Sequence, residues 1–220
     1  MKNEENSASS EPAVRGTLWI IGAIVLLGFV VTWNYVYYTR ARANESGPPN
    51  IKALETDLSL IDHEGNPRRL SELRGKIWIL GYVFTACPAG CLGLTATMRD
   101  LQAQYGDDSD YHFVSISMDP ERDRPDVLKA WMDKVEVGGD NWWFLTGDEK
   151  AIRKYMAKYF QLQVTERTDP EEIKAYGRWE HKNLLVSVDR RGMIRGYYDV
   201  LHFDSGDLYL DKLKKDLKTL

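Results

Sequence analysis

The feature that most constrains this chain is an uncharged stretch of 21 residues near its N-terminus, from Leu18 to Tyr38. As a helix it would be roughly 31 Å long, which matches the hydrocarbon thickness of a bilayer. Trp19 at one end and Trp33 towards the other are typical of membrane interfaces. The stretch is longer than the apolar region of a cleaved signal peptide, and no small-x-small cleavage site precedes its aromatic end. We therefore predict an uncleaved transmembrane anchor over residues 18–38, preceded by a tail over residues 1–17.

The charges that flank this anchor do not decide its orientation. Lys2 and Arg15 precede it, while Arg40 and Arg42 follow it, and the positive-inside rule needs a difference between the two sides. The tail carries three glutamates, unlike acid-poor mitochondrial transit peptides, which favours a bacterial protein. The side on which the rest of the chain lies must therefore come from its chemistry.

The rest of the chain divides into a tether and one domain. Residues 39–50 are small, polar and broken by prolines, which predicts a semi-extended tether. Residues 51–220 can bury an adequate core, and two cysteines are too few for a disulfide-stapled scaffold. Basic and acidic residues balance over residues 1–50, so the net charge of −4 belongs to the domain. An acidic domain argues against nucleic acid as a partner, since that needs a basic face.

Strands and helices alternate along the domain. The apolar and aromatic run over residues 77–84 predicts a buried central strand. Thr146 and Glu149 predict a capping box, and residues 189–192 (DRRG) predict a hairpin turn. The predicted strands are 56–61, 77–84, 111–118, 142–145, 183–188 and 193–198, with helices over 91–105, from 125, from 149 and over about 210–220. This order predicts an α/β sandwich with a mixed central sheet.

Cys87 and Cys91 stand where the central strand passes into a helix. A helix N-terminus presents unpaired N–H groups and a positive partial charge, which stabilise thiolates. Cysteines four residues apart on a helical turn lie about 5–6 Å apart at Cβ, so they could form a disulfide or share a metal ion. Two thiolates suit Cu(I), and an added imidazole gives a set that also holds Cu(II) with a further ligand. Zinc with a fourth ligand, and two inert buried cysteines, remain alternatives.

The histidines do not identify a third ligand by pattern. His63 lies in a turn and His112 opens a strand, so neither is placed to meet the cysteine loop. His181 precedes a strand, and His202 lies in a loop before the last helix. A lone histidine is more often a surface or packing residue than a ligand.

Three other features have ordinary structural interpretations. Asp119 follows a strand and could share a sheet edge with the cysteine loop, but a turn or cap aspartate is as good an interpretation. Trp142 and Trp143 fit the core better than an exposed partner surface. Arg190 and Arg191 fit a solvated hairpin tip.

Four motifs in register resemble the Sco/SenC family of membrane-anchored, thioredoxin-like copper proteins. They are residues 81–91 (GYVFTACPAGC), 115–123 (SISMDPERD), 143–147 (WFLTG), and His181 ahead of residues 189–192. The likeness covers about residues 50–220. It implies a thioredoxin-like sandwich and a copper ion, Cu(I) or Cu(II), held by Cys87, Cys91 and His181.

The chain departs from this family at two positions. Leu92 stands where a proline usually follows the second cysteine, and Glu180 stands where an aspartate usually precedes the histidine. The first change could alter the helix start and the environment of the thiolates, whereas the second keeps an acid. Neither removes a ligand.

The resemblance implies a copper metallochaperone that helps to assemble the dinuclear copper (CuA) centre of cytochrome c oxidase, with the oxidase copper subunit as partner. Copper would leave by stepwise ligand exchange to partner cysteines. Such chemistry implies a single-pass protein of a bacterial inner membrane, with a cytoplasmic tail and a periplasmic domain.

The alternative function is a membrane-anchored thiol–disulfide oxidoreductase. Cys87 would attack a partner disulfide and Cys91 would resolve the mixed disulfide. The three-residue spacer is mild evidence against it, because ordinary thioredoxin-type motifs have two residues between the cysteines. A peroxidase is supported by nothing beyond a reactive thiol.

Overall fold

The computed structural model describes residues 11–45, 47–86 and 91–220. The chain forms two compact units, Met1–Gly47 and Pro48–Leu220.

Among the described residues of the first unit there is one long helix, α1 (Glu11–Glu45). Its segment Leu18–Thr39 is long and apolar enough to cross a membrane, in line with the predicted anchor over residues 18–38. The predicted semi-extended tether is helical up to Glu45, because residues 40–45 contain no helix breaker. Pro48 and Pro49 follow, and proline disfavours helical backbone in the residue before it.

The second unit is an α/β sandwich on an eight-stranded mixed sheet, with a separate two-stranded ribbon. Its sheet strands are β1 (Lys52–Ala53), β2 (Ser59–Asp62), β3 (Pro67–Arg69), β4 (Ile77–Val83), β5 (Tyr111–Ser117), β6 (Trp142–Thr146), β9 (Leu185–Val188) and β10 (Met193–Tyr198), and the ribbon is β7 (Val164–Glu166) with β8 (Trp179–His181). The helices are α2 (Cys91–Tyr105), α3 (Pro125–Val135), α4 (Glu149–Tyr155), α5 (Pro170–Tyr176) and α6 (Gly206–Leu217), with a 3₁₀ turn at Leu70–Leu73 and a π-helical turn at Met156–Phe160.

The strand order brings several loops to one edge of the sheet. The order is β1-β10-β9-β4-β5-β6-β2-β3. Strands β4, β5 and β6 are parallel, β9 is antiparallel to β4, and β10 is antiparallel to β9. Strands β4, β5, β6 and β10 therefore all end at the same edge, which we call the carboxyl edge. The predicted mixed sheet is confirmed.

The central strand β4 is buried along its whole length and separates two hydrophobic clusters. Trp78, Leu80 and Tyr82 pack in the cluster that contains the π-helical turn. Ile77 and Ile79 face the cluster covered by α2, α3 and α6. Because both faces are covered, the strand is a continuous apolar run rather than an alternating one, as predicted.

The predicted capping box at Thr146 and Glu149 is wrong. Thr146 is the last residue of β6 and pairs with Ile61 of β2, so it belongs to the sheet. Helix α4 is capped instead by Asp148, whose carboxylate accepts a hydrogen bond from the Ala151 N–H at 2.8 Å.

The predicted hairpin between β9 and β10 is confirmed. The Asp189 carboxylate accepts hydrogen bonds from the N–H groups of Arg191, at 2.9 Å, and Met193, at 3.0 Å. Gly192 has a φ of +77°, a conformation that glycine adopts without strain. Arg190 at the tip is only partly solvated, since it forms an ion pair with Asp110 at 2.8 Å.

Candidate metal centre

The cysteine loop starts and ends at the carboxyl edge. Strand β4 ends at Val83, and Thr85 and Ala86 form the turn that follows. Cys87 and the next three residues lie outside the described residues, and of Cys91 only its place as the first residue of α2 is described. The strand–helix junction predicted for the two cysteines is therefore present, while their roles as ligands stay a prediction.

The residue that leads into this loop is held by a buried carboxylate, Asp123. The Thr85 hydroxyl donates to it at 2.5 Å, and the Ser117 hydroxyl, at the end of β5, donates at 2.7 Å. Asp123 is fully buried, and this burial raises its pKa above the usual range even though the hydrogen bonds act in the opposite direction. The loop is thus attached to the neighbouring strand of the sheet by a polar network.

Asp119 lies at the same edge, but it serves a turn. Its N–H donates to the Ser117 hydroxyl at 3.0 Å, and its carbonyl accepts from the Asp123 N–H at 2.8 Å. This agrees with the turn interpretation. Sequence reasoning missed Asp123, although a pair of aspartates directly after a buried strand was a usable signal.

His181 is the last residue of β8 and lies beside the strand that leads into the cysteine loop. Its ring packs edge-to-face against Tyr82 of β4, with 6.1 Å between the ring centroids. Tyr82 precedes Cys87 by five residues. The structure therefore brings His181 close to the end of β4, the position that a ligand shared with this loop requires.

One ring nitrogen of His181 lies near a backbone carbonyl. Nδ1 lies 3.3 Å from the Lys182 carbonyl oxygen. A carbonyl can only accept, so this contact is a hydrogen bond when Nδ1 carries a proton, and in a neutral ring that tautomer leaves the lone pair on Nε2. A carbonyl that orients the ring in this way is a common partner of metal-bound histidines.

Tyr82 itself is fixed against the ribbon side of the fold. Its hydroxyl donates to the Leu162 carbonyl at 3.0 Å. Burial raises the pKa of Tyr82 far above its usual value, so the phenol stays neutral. The ring of Tyr82 is therefore a fixed aromatic surface against which His181 packs.

The ribbon that carries His181 is fastened to the domain through Trp179. This side chain is buried, and the guanidinium carbon of Arg153 lies 4.0 Å from its ring centroid. Arg178 lies over the same indole at 4.7 Å. Arg153 belongs to α4 and pairs with Glu149 at 2.7 Å. Cation–π contacts of this kind attach β8 to the body of the domain.

The other histidines have packing or surface positions. His63 packs edge-to-face on Phe144, and His112 packs on Trp143 with 4.5 Å between centroids. Burial lowers the pKa of His112 to about 4. His202 is exposed at the carboxyl edge, with Nδ1 2.9 Å from the Ser205 hydroxyl.

Both tryptophans of β6 contribute to packing. Trp142 is fully buried and donates to the Ser115 hydroxyl at 3.0 Å. Trp143 is half-buried beneath Arg68, whose guanidinium carbon lies 4.8 Å from the ring centroid. The core interpretation is therefore confirmed for Trp142 and holds in part for Trp143.

No three His, Cys, Asp or Glu side chains form a metal-binding group within the part of the chain that the structure describes, which leaves out both cysteine side chains. The described residues thus provide one candidate ligand, His181, beside the cysteine loop. A metal centre at this edge would need donors from that loop.

A mixed sheet between helices, with a cysteine loop after its central strand and a histidine brought beside it, defines a thioredoxin-like domain. The family model described as SCO1/SenC matches residues 47–218. The chain therefore belongs to the SCO1/SenC family.

Individual proteins agree with this assignment. The chain is 32% identical over 114 residues to the SCO1 protein homolog of Bacillus subtilis, a match that covers 51% of this chain and 59% of that protein, less than two thirds of its length. A solved structure of BsSco, described as a Sco-family cytochrome c oxidase assembly protein with a disulfide switch, is 26% identical, with a TM-score of 0.59 over 77% of this chain and 96% of that one. Arabidopsis thaliana ScoI with copper bound shares the fold, with 22% identity and a TM-score of 0.60 over 76% of this chain and 100% of that chain.

Proposed function

We propose that this chain is a copper carrier that acts in the assembly of the CuA centre of cytochrome c oxidase, with Cys87, Cys91 and His181 as its copper ligands. The observation that carries the proposal is the contact of His181 with Tyr82, on the strand that leads into the cysteine loop. Membership of the SCO1/SenC family supports the same function. BsSco is described as a member of a family of oxidase assembly proteins, and copper is bound in Arabidopsis ScoI.

The residues fit copper as cargo. Two thiolates and the Nε2 atom of a neutral imidazole form a soft Cys₂His set, which suits Cu(I) and with a further ligand Cu(II). The partial positive charge at the start of α2 favours the thiolate form of both cysteines. This partial charge offsets part of the negative charge of two thiolates.

Delivery requires ligand exchange and no electron transfer. A recipient thiolate would replace one ligand of Cu(I) at a time. His181 is the neutral ligand, so its release from Cu(I) separates less charge than the release of either thiolate. We propose the oxidase copper subunit as recipient. The domain would then lie on the periplasmic side of an inner membrane, with Leu18–Thr39 as its single span and the preceding tail in the cytoplasm. An anchor of this kind raises the effective concentration of the domain near a membrane-bound recipient.

A thiol–disulfide reductase is the second candidate, since a relative of known structure has a disulfide switch. The Cys87 thiolate would attack a partner disulfide, form a mixed disulfide and release one partner thiolate. The Cys91 thiolate would then displace the second partner thiolate. The partner disulfide is reduced by two electrons, and Cys87 and Cys91 become a disulfide.

Copper transfer separates the two functions. The full chain in detergent, reduced and loaded with Cu(I) without oxygen, is mixed with the copper-free soluble domain of the oxidase copper subunit in its dithiol form. We expect copper to move to the recipient while both cysteines of the chain stay reduced. The control is the double variant Cys87→Ser and Cys91→Ser, which should neither hold nor transfer copper.

The opposite result identifies a reductase. In that case the chain would retain no copper, and mixing it with the disulfide form of the recipient domain would reduce that disulfide while the chain loses two thiols. Copper retention equal to the parent in the double-serine variant would remove Cys87 and Cys91 as ligands.

Trp179→Leu should weaken both the fold and the site. The variant loses two cation–π contacts and buried aromatic area, so we expect the free energy of unfolding to fall by about 1–3 kcal/mol and copper to dissociate faster. Urea unfolding and copper release to a chelator measure the two effects. Trp131→Leu is the matched control: Trp131 packs against Phe144, away from β8. It should lose stability without faster copper release, and an equal release rate in both variants would contradict the role of Trp179.

A further inference from the structure

Exposed apolar side chains of the second unit are concentrated near the cysteine loop. Among its described residues eight large hydrophobic side chains are exposed, and three of them, Ile51, Ile61 and Tyr176, belong to other segments of the domain. The other five are Leu92 (52% exposed), Leu201 (37%), Phe203 (97%), Leu208 (71%) and Tyr209 (38%). Single exposed hydrophobic residues are ordinary, but a contiguous group marks an interaction surface. We call Leu92, Leu201, Phe203 and Leu208 the apolar patch.

The topology places this patch at the carboxyl edge. Strand β10 ends at this edge, and the loop that follows it carries Leu201 and Phe203. Leu201 packs on the first turn of α2, because a Cβ added at Gly93 would lie 3.3 Å from Leu201 Cδ2. Gly93 is two residues from Cys91. The patch therefore begins beside the cysteine loop.

The exposure of Phe203 belongs to a well-defined turn. The His202 ring nitrogen Nδ1 lies 2.9 Å from the Ser205 hydroxyl, and the His202 carbonyl accepts from the Gly206 N–H at 2.9 Å. Leu201, Phe203 and Leu208 line a shallow concavity of about 290 Å³. The concavity combines these apolar side chains with polar groups of the turn, and a preformed concave surface suits a protruding side chain of a partner.

The charge around the patch restricts what can cover it. The segment 199–211 contains four aspartates and no lysine or arginine: Asp199, Asp204, Asp207 and Asp211. An anionic membrane surface would be repelled by this segment. A second copy that docks through a two-fold axis would bring the same aspartates face to face. The complementary surface is an apolar face with lysine and arginine around it.

We propose that the apolar patch is the docking surface for the protein that receives the copper, and that this protein presents an apolar face rimmed by basic residues. The inference rests on the proposed function. Ligand exchange requires recipient thiolates to reach Cys87 and Cys91, so the recipient must cover the carboxyl edge, where the patch lies.

The test compares docking with copper binding. The double variant Phe203→Ser and Leu208→Ser, in the full chain, is mixed with the soluble copper domain used above, and the second-order rate of copper transfer is measured at several salt concentrations. We expect the rate to fall about tenfold or more with the copper content of the chain unchanged. The matched control, Ile51→Ser, removes an exposed apolar residue beside the start of β10, at the opposite edge of the sheet, and should keep the parent rate within about twofold. Asp204→Lys with Asp207→Lys should slow transfer and weaken its salt dependence.

Several results would overturn the docking surface. Transfer at the parent rate by the double variant Phe203→Ser and Leu208→Ser is one. Binding of the parent to vesicles with anionic lipid, lost in that variant, would instead assign the patch to the membrane. Parent dimers that the same variant dissociates would assign it to a second copy. If the parent retains no copper, the proposed function fails, and calorimetry of the copper-free chain with the same domain still tests docking: absence of binding would reject the patch.

Discussion

Replacing His181 with alanine is expected to lower the affinity of the chain for copper by about a hundredfold or more. Changes that only reorient a ligand cost about 10–100-fold, so the loss of a ligand should reach at least the upper end of that range. The Cu(II)–thiolate absorption of the oxidised complex should disappear as well, because two thiolates alone favour Cu(I). Competition with a Cu(I) chelator measures the affinity, and absorption spectroscopy measures the thiolate band.

His202 supplies the control for this experiment. It is exposed and lies at the same carboxyl edge, but its ring packs near Tyr209, with 6.5 Å between centroids. His181 packs on Tyr82 instead, beside the cysteine loop. We expect His202→Ala to keep parent affinity and parent absorption. If His181→Ala also keeps both, His181 is not a ligand, and the copper proposal would have to rest on the cysteines alone.

The parts of the fold that follow from local pattern were predictable from the sequence. Strand β4 is buried on both faces and therefore reads as an unbroken apolar run, while the turn at Asp189 and Gly192 carries its own hydrogen-bonding residues. The ribbon that holds His181 was missed, because β7 and β8 have three residues each and are too short to show a period. One signal was available: Asp169 before Pro170 marks the start of α5, and its carboxylate accepts from the Glu171 N–H.

The candidate site could be predicted only in part for a related reason. The cysteine pair is visible as a motif, but the contact between His181 and Tyr82 joins residues that are far apart in sequence. No local pattern reports such a contact, and His181 was singled out by family resemblance alone. The burial of Asp123 likewise depends on how β4 and β5 meet, which composition and spacing do not contain.

Asp123→Ala is expected to lower the free energy of unfolding by about 2–4 kcal/mol. The change leaves the hydroxyls of Thr85 and Ser117 without their acceptor in a buried site, and each such group costs about 1–3 kcal/mol. Urea unfolding of the full chain in detergent measures the effect. Ser109→Ala, in the exposed turn before β5, is the control and should change stability by less than about 0.5 kcal/mol. A loss as small as that of the control would contradict the structural role of Asp123.

The contribution of Asp123 to stability changes with pH in the opposite direction to the contributions of Asp62 and Asp189. Burial raises the pKa of Asp123, so the folded chain keeps a proton that the unfolded chain releases above its ordinary pKa of about 3.9. This contribution is complete below the ordinary value and is lost as pH rises through the folded pKa. Asp62 and Asp189 behave oppositely: burial opposes ionisation, but hydrogen bonds and arginine neighbours lower each pKa, so their stabilisation is lost as pH falls.

Asp123→Asn isolates this contribution. Asparagine has a similar shape and does not titrate, so the parent should lose stability relative to this variant as pH rises from about 4 towards neutrality. The contributions of Asp62 and Asp189 are common to both proteins and cancel in the difference. Unfolding by urea at a series of pH values measures that difference. A difference that stays constant, or that grows in favour of the parent as pH rises, would show that Asp123 is ionised in the folded state at its ordinary pKa or below. Its hydrogen bonds to Thr85 and Ser117 would then outweigh the cost of its burial.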